Sequence, residues 1–384
     1  MGKIFTALGL MSGTSMDGVD ASIISSIDGI EYDQKFNRYY EYDKSFYQKI
    51  SSIRDKILTS KDLKKLSKEL NSLEKEITLF HAKVANDVDH SIKKLNVPKF
   101  EIIGFHGQTM FHSPKEKISL QLGDGNLLSQ LSKKTVVYDF RQNDLKNGGQ
   151  GAPLTPIFHK SLLDKNWCAP TIFINIGGIT NVTCFHSENK FEVSMFASDI
   201  GPGSCLIDEW VRKNSNNKFD RDGLIAKSGK VNELVLYQAL DNFESISNNS
   251  LDIKDFDISF ARGLSLEEGA ATITKFTAEI IILSLEKLLI KNKYCYGDEG
   301  PNIVVCGGGR KNKYLMSLLK NLSKKAIRYK SFETIDKHNI DGDFIESQAF
   351  AFLAIRSVLN LPISFPETTG CKNLCTGGVI VKNF

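Results

Sequence analysis

The sequence predicts an α/β protein of two domains, and three observations carry that reading. The chain has 384 residues, which is long for one hydrophobic core and ordinary for two. Short apolar runs of strand type alternate with long amphipathic stretches of helical type. The opening order of strand, Gly/Thr-rich turn and returning strand recurs near the middle as a weak internal repeat. The expected limits are 1–140 for the first lobe, with about 360–384 packing back on it, and 141–359 for the second.

Composition narrows the class. Hydrophobic content of 41% beside 24% charged residues describes a globular chain rather than a disordered one. A net charge of +4, from 49 basic and 45 acidic residues, is too slight to argue for nucleic acid or a membrane surface as partner. No run reaches the roughly 18 apolar residues that span a bilayer. Met1-Gly2-Lys3 leads straight into a strand, so no cleavable signal peptide is expected. Seven scattered cysteines (Cys168, Cys184, Cys205, Cys295, Cys306, Cys371 and Cys375), several of them in apolar runs, suit the reduced state and a cytoplasmic protein. Lys/Asn-rich stretches at Asn248-Asn249 and from Lys287 to Tyr296 carry no functional message.

The first element is a hairpin. Between two apolar strands, every residue from Ser12 to Gly18 except Met16 is polar or glycine. Such a turn brings backbone N–H groups and hydroxyls close to a ligand, as phosphate sites require, although ordinary hairpins share the chemistry. Asp17 and Asp20 could hold Mg²⁺ directly or through water. Leu63, Leu66, Leu70, Leu73 and Ile77 then recur at helical spacing, predicting one or two core-facing helices between Tyr47 and Leu95. A strand over Phe100–Phe105 runs into a turn, His106-Gly107-Gln108-Thr109, and a second strand over Thr135–Tyr138 ends near Arg141. The glycine-rich stretch Gly148–Leu154 reads as a domain crossing.

The second half opens with a strand at Thr171–Ile176, a turn at Gly177-Gly178-Ile179-Thr180-Asn181 and a strand at Val182–Phe185. Ser265 and Glu268 form the signature of a capping box before a helix reaching Ile290. A buried strand at Asn302–Cys306 precedes Gly307-Gly308-Gly309 and a helix start, an order that offers N–H groups to an anion. A last helix spans about Asp343 to Leu359, and a short strand at Val379–Val381 ends the chain.

Four positions invite chemistry, each with a plainer alternative. Asp199, ahead of Gly201-Pro202-Gly203, suits a general base or the N-cap of the next helix. Glu346 turns inward as a ligand-seeking carboxylate or forms a capping box with Asp343. His106 and Gln108 could hydrogen-bond a polyhydroxyl substrate or serve the fold. Arg141 is an anion clamp or the partner of Asp144. No CxxC pair, G-x-S-x-G elbow or Walker A motif is present.

Seven motifs in order, Gly9 to Asp20, His106-Gly107-Gln108-Thr109, Asp139-Phe140-Arg141 with Gly148–Leu154, Asn175 to Asn181, Asp199-Ile200-Gly201-Pro202-Gly203, Phe219-Asp220-Arg221-Asp222-Gly223 and Cys306-Gly307-Gly308-Gly309, strongly resemble the anhydro-N-acetylmuramic acid kinase family. These are sugar kinases of the actin/Hsp70/hexokinase-like superfamily. The resemblance implies two RNase-H-like α/β domains with an interdomain nucleotide cleft, ATP and Mg²⁺, a small sugar substrate and a homodimer. It places the nucleotide against Gly13, Thr14, Ser15, Met16, Asp17, Gly18 and Asp20, against Gly177, Gly178, Thr180 and Asn181, and against Gly307, Gly308 and Gly309. Asp17 and Asp20 would face the metal, and His106, Gln108, Arg141 and Glu346 the sugar. Asp199 would be the base that activates water as the 1,6-anhydro bridge opens and O6 is phosphorylated. Two other readings stay open: a kinase for another amino or anhydro sugar, and a non-catalytic nucleotide switch.

Overall fold

The first strand is buried on both faces over most of its length, which is why it reads as a continuous apolar run instead of an alternating one. It is the centre of the first of two units, Met1–Lys165 with Phe344–Phe384; the second is Asn166–Asp343. The computed structural model describes residues 2–189, 192–243, 251–294 and 297–384; Cys295, Tyr296 and the Asn248-Asn249 pair lie outside them. Among the described residues no helix is long and apolar enough to cross a membrane.

In the first unit, β1 (Ile4–Ser12), β2 (Gly18–Ile27) and β3 (Glu31–Glu41) are followed by α1 (Lys44–Asp55), α2 (Ser60–Lys65) and α3 (Ser67–Leu95). Then come β4 (Ile102–Ser113), β5 (Ile118–Leu122), α4 (Gly125–Ser132), β6 (Thr135–Tyr138), α5 (Gln142–Lys146) and α6 (Pro156–Asn166). The helical spacing of Leu70, Leu73, Ile77, Val84, Val88 and Ile92 gives α3 its buried face, and Asn96, in the left-handed region at φ 54°, stops it. The strand order is β6-β4-β1-β2-β3, with β5 beside β4.

The second unit holds β7 (Thr171–Ile176), β8 (Ile179–Asn189), β9 (Glu192–Pro202), α7 (Cys205–Asn214), α8 (Leu224–Ser228) and α9 (Glu233–Asp241). It continues with α10 (Leu266–Lys291), β10 (Asn302–Cys306), α11 (Lys313–Ala326) and β11 (Ser331–Thr334), in the sheet order β11-β10-β7-β8-β9. Each sheet is three antiparallel strands continued by parallel ones, the RNase-H-like arrangement expected. Ser265 caps α10 by accepting from Glu268 N, but the Glu268 carboxylate takes the Asn232 amide, so only half of the expected capping box forms. The indole of Trp210 fits against α10 because residue 269 is glycine; a Cβ there would lie 2.1 Å from the ring.

The chain then returns to the first unit as α12 (Ile345–Val358), α13 (Pro366–Thr369) and β12 (Val379–Val381), which pairs antiparallel with β6. The division into units falls at Lys165/Asn166 and Asp343/Phe344. It therefore differs from the sequence limits: the Gly148–Leu154 stretch stays within the first unit, wrapped around Asp144, and α12 joins that unit as well. The reason is close packing. Gly9 of β1 pairs with Gly104 of β4 and with Ser22 of β2, making a strip of small residues across the sheet. A Cβ on Gly9 would sit 1.8 Å from Ser347 O, and one on Gly104 would sit 2.1 Å from Phe350 O, so the helix backbone rests directly on the strip.

Gly9→Ala should therefore destabilise the first unit by about 3 kcal/mol or more, because backbone atoms have no rotamer with which to yield. For a unit of this size that is a fall of roughly 6–12 °C in its melting transition, measurable by calorimetry. Gly13→Ala, whose Cβ meets only Ser15 Oγ at 3.7 Å, should leave that transition in place.

Candidate active site

The site is best built one unit at a time. In the first, β1 ends at Ser12, whose hydroxyl lies 2.6 Å from Gln108 Oε1, 2.9 Å from Gly18 O and 3.2 Å from the Tyr42 hydroxyl. Gln108 Nε2 donates to Gly13 O at 3.0 Å, so this fully buried amide spans the mouth of the β1–β2 turn. The Asp17 carbonyl accepts from Tyr42 N at 2.8 Å and from the Tyr39 hydroxyl at 2.9 Å. A turn so tethered holds a fixed shape at little entropic cost when a ligand arrives.

Its residues divide by role. The side chain of Met16 is core, and Gly18 is there for packing, since a Cβ would lie 2.4 Å from Tyr40 O. Ser15 is exposed, and Gly13 and Thr14 are half-buried. Asp17 is exposed and accepts from Ser15 Oγ at 2.6 Å, while Asp20 is half-buried opposite Met11 and Tyr39. Burial raises the Tyr39 phenol above its ordinary range, and the nearby charges of Asp17, Glu41 and Asp20 add to it, so both candidate metal carboxylates share one neighbourhood.

His106 and Gln108 lie within a strand, not in a turn as the sequence predicts. β4 continues to Ser113, bent at Gly107 (φ 74°). His106 Nδ1 is bonded to Gly107 O at 2.8 Å, which leaves Nε2 to accept from Arg141 Nη2 at 3.1 Å. Burial, with the Arg141 charge beside it, lowers the histidine to about 3, so the ring is neutral at physiological pH. Arg141 Nη1 donates to Gly151 O at 2.7 Å. The Asp144 carboxylate accepts from Gly151 N and from Thr369 Oγ1, each at 2.6 Å. Glu346 sits half-buried in the first turn of α12. Its capping-box alternative is not formed, because Phe344 is the N-cap and Asp343 turns to Arg310 and Lys311.

In the second unit the β7–β8 turn serves α7. Gly178 O accepts from Gly203 N at 2.8 Å, and Gly177 O accepts from Ser204 N at 2.8 Å. A Cβ on Gly203 would lie 2.1 Å from Gly177 O, which explains the Gly-Pro-Gly run. Thr180 is fully buried and donates its hydroxyl to Pro202 O, so it braces the turn from beneath. Asn181 and Thr180 belong to β8, whereas the sequence places them in the turn. Asp199 sits inside β9 opposite Asn181, beside an irregularity in the register. It is half-buried and accepts from Leu251 N at 2.8 Å; Ser204 is the residue at the N-cap of α7. Asn181 Oδ1, on the residue paired with Asp199, is buried without a hydrogen-bond partner among the described residues.

The glycine run after β10 leads first into a 3-10 turn (Gly308–Lys311); the α11 N-terminus comes later and is capped by Asn312, which accepts from Leu315 N. Gly307 and Gly309 press on Asn175 and Ile176, but a Cβ on Gly308 would meet nothing within 4 Å. That opening suits the approach of a flat or phosphorylated ligand. Sequence reasoning misses what holds this loop. Arg310, with a side chain 5% exposed, donates to Gly307 O at 3.0 Å and to Asp336 (2.6 Å), Asp341 (3.4 Å) and Asp343 (2.6 Å). The guanidinium keeps the Asp336 carboxyl below its usual range. Three aspartates crowded within eight residues, some way after the arginine, are its trace in the sequence.

Residues 5–383 match the sequence model of the family described as anhydro-N-acetylmuramic acid kinase. The chain belongs to that family. A relative of this name from Pelagibacter ubique (strain HTCC1062) is 50% identical over 388 residues, covering all of both chains. Another of the same name from Brucella canis is 36% identical over 384 residues, 98% of each. A solved hexokinase from Schistosoma mansoni, complexed with glucose, superposes with a TM-score of 0.42 at 10% identity over 91% of this chain and 85% of its own.

The neutral state of three buried histidines and the half-buried His112 generates a prediction. Burial lowers His81 to about 4 and His106, His112 and His159 to about 3. Their folded values lie below the unfolded value near 6.5, so the unfolded chain binds more protons and stability is lost as pH falls from about 6.5 towards 4. The urea midpoint should decline across that window, and His81→Phe should reduce the slope by about one proton.

Proposed function

We propose that this chain uses ATP and water to convert 1,6-anhydro-N-acetylmuramic acid into N-acetylmuramate 6-phosphate, a step in recycling cell-wall sugars. The observation that carries the reading is the family match across residues 5–383. The geometry supports it through a half-buried carboxylate, Asp199, held by Leu251 N on a strand edge, and through two tethered Gly-rich turns. Water adds to the anomeric carbon as the bond from that carbon to O6 breaks. Asp199 takes the proton from water, and O6 forms its new bond to the γ-phosphorus as ADP departs.

Asn181 Oδ1, an acceptor in want of a donor, helps orient that water or a sugar hydroxyl. Arg141 meets the lactyl carboxylate, with Glu346 on the sugar, and His106 acts through Arg141, which it mounts. Gln108 acts by fixing the β1–β2 turn. The N–H groups from Gly13 to Ser15, at Gly178 and at Gly308 serve the phosphates and nucleotide, while that of Gly177 closes the turn on Ile179 O. Asp17 and Asp20 fit a hydrated magnesium ion, which takes one or two carboxylates and keeps its waters; when bound it neutralises charge developing on the phosphates.

The test is ATP consumption with anhydro-N-acetylmuramate, N-acetylmuramate or N-acetylglucosamine, followed by mass analysis of the sugar. The expected product gains one water and one phosphate, from the anhydro sugar alone. Equal turnover on another sugar, or sugar-independent hydrolysis, overturns the substrate. Asp199→Asn should cut kcat by about 10²–10⁴-fold with little change in the KM for ATP. Gly308→Ala, placed in open space, should leave the melting transition unchanged and raise the KM for ATP.

A further inference from the structure

A second cluster of chemistry-bearing side chains uses no residue of either turn. Asp144 of α5 and Cys371 and Cys375, from the segment after α13, place a carboxylate oxygen and two sulfurs within 4.8 Å of one another. All three residues are buried, at 1%, 2% and 3% exposure. We propose that Asp144, Cys371 and Cys375 form a binding site for a soft divalent cation of the zinc class. The site is independent of the kinase reading and of any magnesium at Asp17 and Asp20.

Two sulfurs and one carboxylate oxygen are a donor set that favours zinc over magnesium, which demands oxygen alone. The carboxylate is already oriented as a ligand should be. Thr369 Oγ1 donates to one Asp144 oxygen and Gly151 N to the other, each at 2.6 Å, and each oxygen keeps a lone pair. The backbone brings the cysteines to it by bonds that involve no cysteine side chain. Gln150 N donates to Thr369 O at 2.9 Å, Lys372 N to Asn147 O at 3.0 Å and Ile363 N to Cys375 O at 2.8 Å. The chain thus builds the same convergence twice, once in main-chain bonds and once in side chains.

Burial, with the Asp144 charge adding to it, pushes the Cys371 thiol up to about 11, so without a cation the pair stays a dithiol. A dication inverts that preference, displacing a proton from each sulfur as it binds. An ion there would staple α5 and the Gly148–Gly151 stretch to the Ser364–Cys375 segment. Gly151 is also the residue whose carbonyl holds Arg141.

The experiment uses the full chain, reduced, stripped with chelator and titrated with Co²⁺ as a spectroscopic stand-in for zinc. We expect a thiolate-to-cobalt charge-transfer band that saturates at about one ion per chain, bleaches with Zn²⁺ and ignores excess Mg²⁺. The Cys371→Ser, Cys375→Ser double variant should lose the band. Where that variant folds poorly, mass mapping on the unmodified chain decides: Zn²⁺ should protect Cys371 and Cys375, and no other cysteine, from alkylation. Absence of a band, a band that survives in the folded double variant, or no protection at these two positions overturns the site. So does a pair that only oxidises to a disulfide with peroxide while binding no cobalt.

Discussion

The first unit depends on a stretch of sheet with no side chains in it. Gly9 and Gly104 face each other in adjacent parallel strands, Ser22 extends the strip on the other side of Gly9, and α12 lies on all three. Ser22 and Ser347 exchange a hydroxyl bond at 2.6 Å across the contact. Backbone this close forfeits the area that two larger side chains would bury. What it gains is a helix whose height and rotation are fixed by main-chain contact rather than by rotamers. That fixes Glu346 in the first turn of the helix, and Phe350, whose ring is 4.5 Å from His106.

Both hairpins owe their shape to groups that no ligand touches first. Gln108 crosses the mouth of one turn, and Thr180 with the N-terminus of α7 holds the other. A family motif is consequently a mixture of ligand-facing atoms and braces. Asp220, in the Phe219–Gly223 motif, is a brace of this kind: buried, it accepts from Ile225 N and Ala226 N and caps α8. Ser15 and Gly308 are exposed, whereas Gly18, Thr180, Gly203 and Gly307 are committed to the fold. Substitutions at the second group act on the site by moving the first.

Much of this was legible in the sequence, and the parts that were not share a cause. The strand and helix cores, the repeat and the Ser265 cap follow from periodicity and cap chemistry, which are local. The bend that keeps β4 running past His106 is not local: it requires β5 as a partner, and propensity alone reads His106-Gly107-Gln108-Thr109 as a turn. The fate of α12 is likewise decided by small residues hundreds of positions away, and contact between Gly9 and Ser347 leaves no periodic signal. Asp199 stands out in the sequence through its neighbours Gly201 and Gly203, yet those glycines serve the packing of the turn on α7 and α10. Arg310 escaped altogether, and Asp144 was read only as a partner for Arg141, because a charge buried among distant partners looks in sequence like any surface charge.

The Arg141 cluster shows how electrostatics and fold combine. Its Nη1 and Nη2 donate to neutral acceptors, Gly151 O and the bare Nε2 of His106. Such bonds orient a guanidinium without cancelling its charge, where an aspartate would do both. Asp144 is close in sequence and could have been that aspartate. Instead the glycines at 149 and 151 let the loop fold over it, and its charge is spent on Gly151 N and Thr369. A Cβ at 149 would lie 2.2 Å from that carboxylate, so the loop closes over it only because the residue is glycine. Keeping His106 neutral requires burial, and burial requires Phe350 and hence α12 on its strip of glycines. The charge state of the arginine's mount thus traces back to two missing side chains in the sheet.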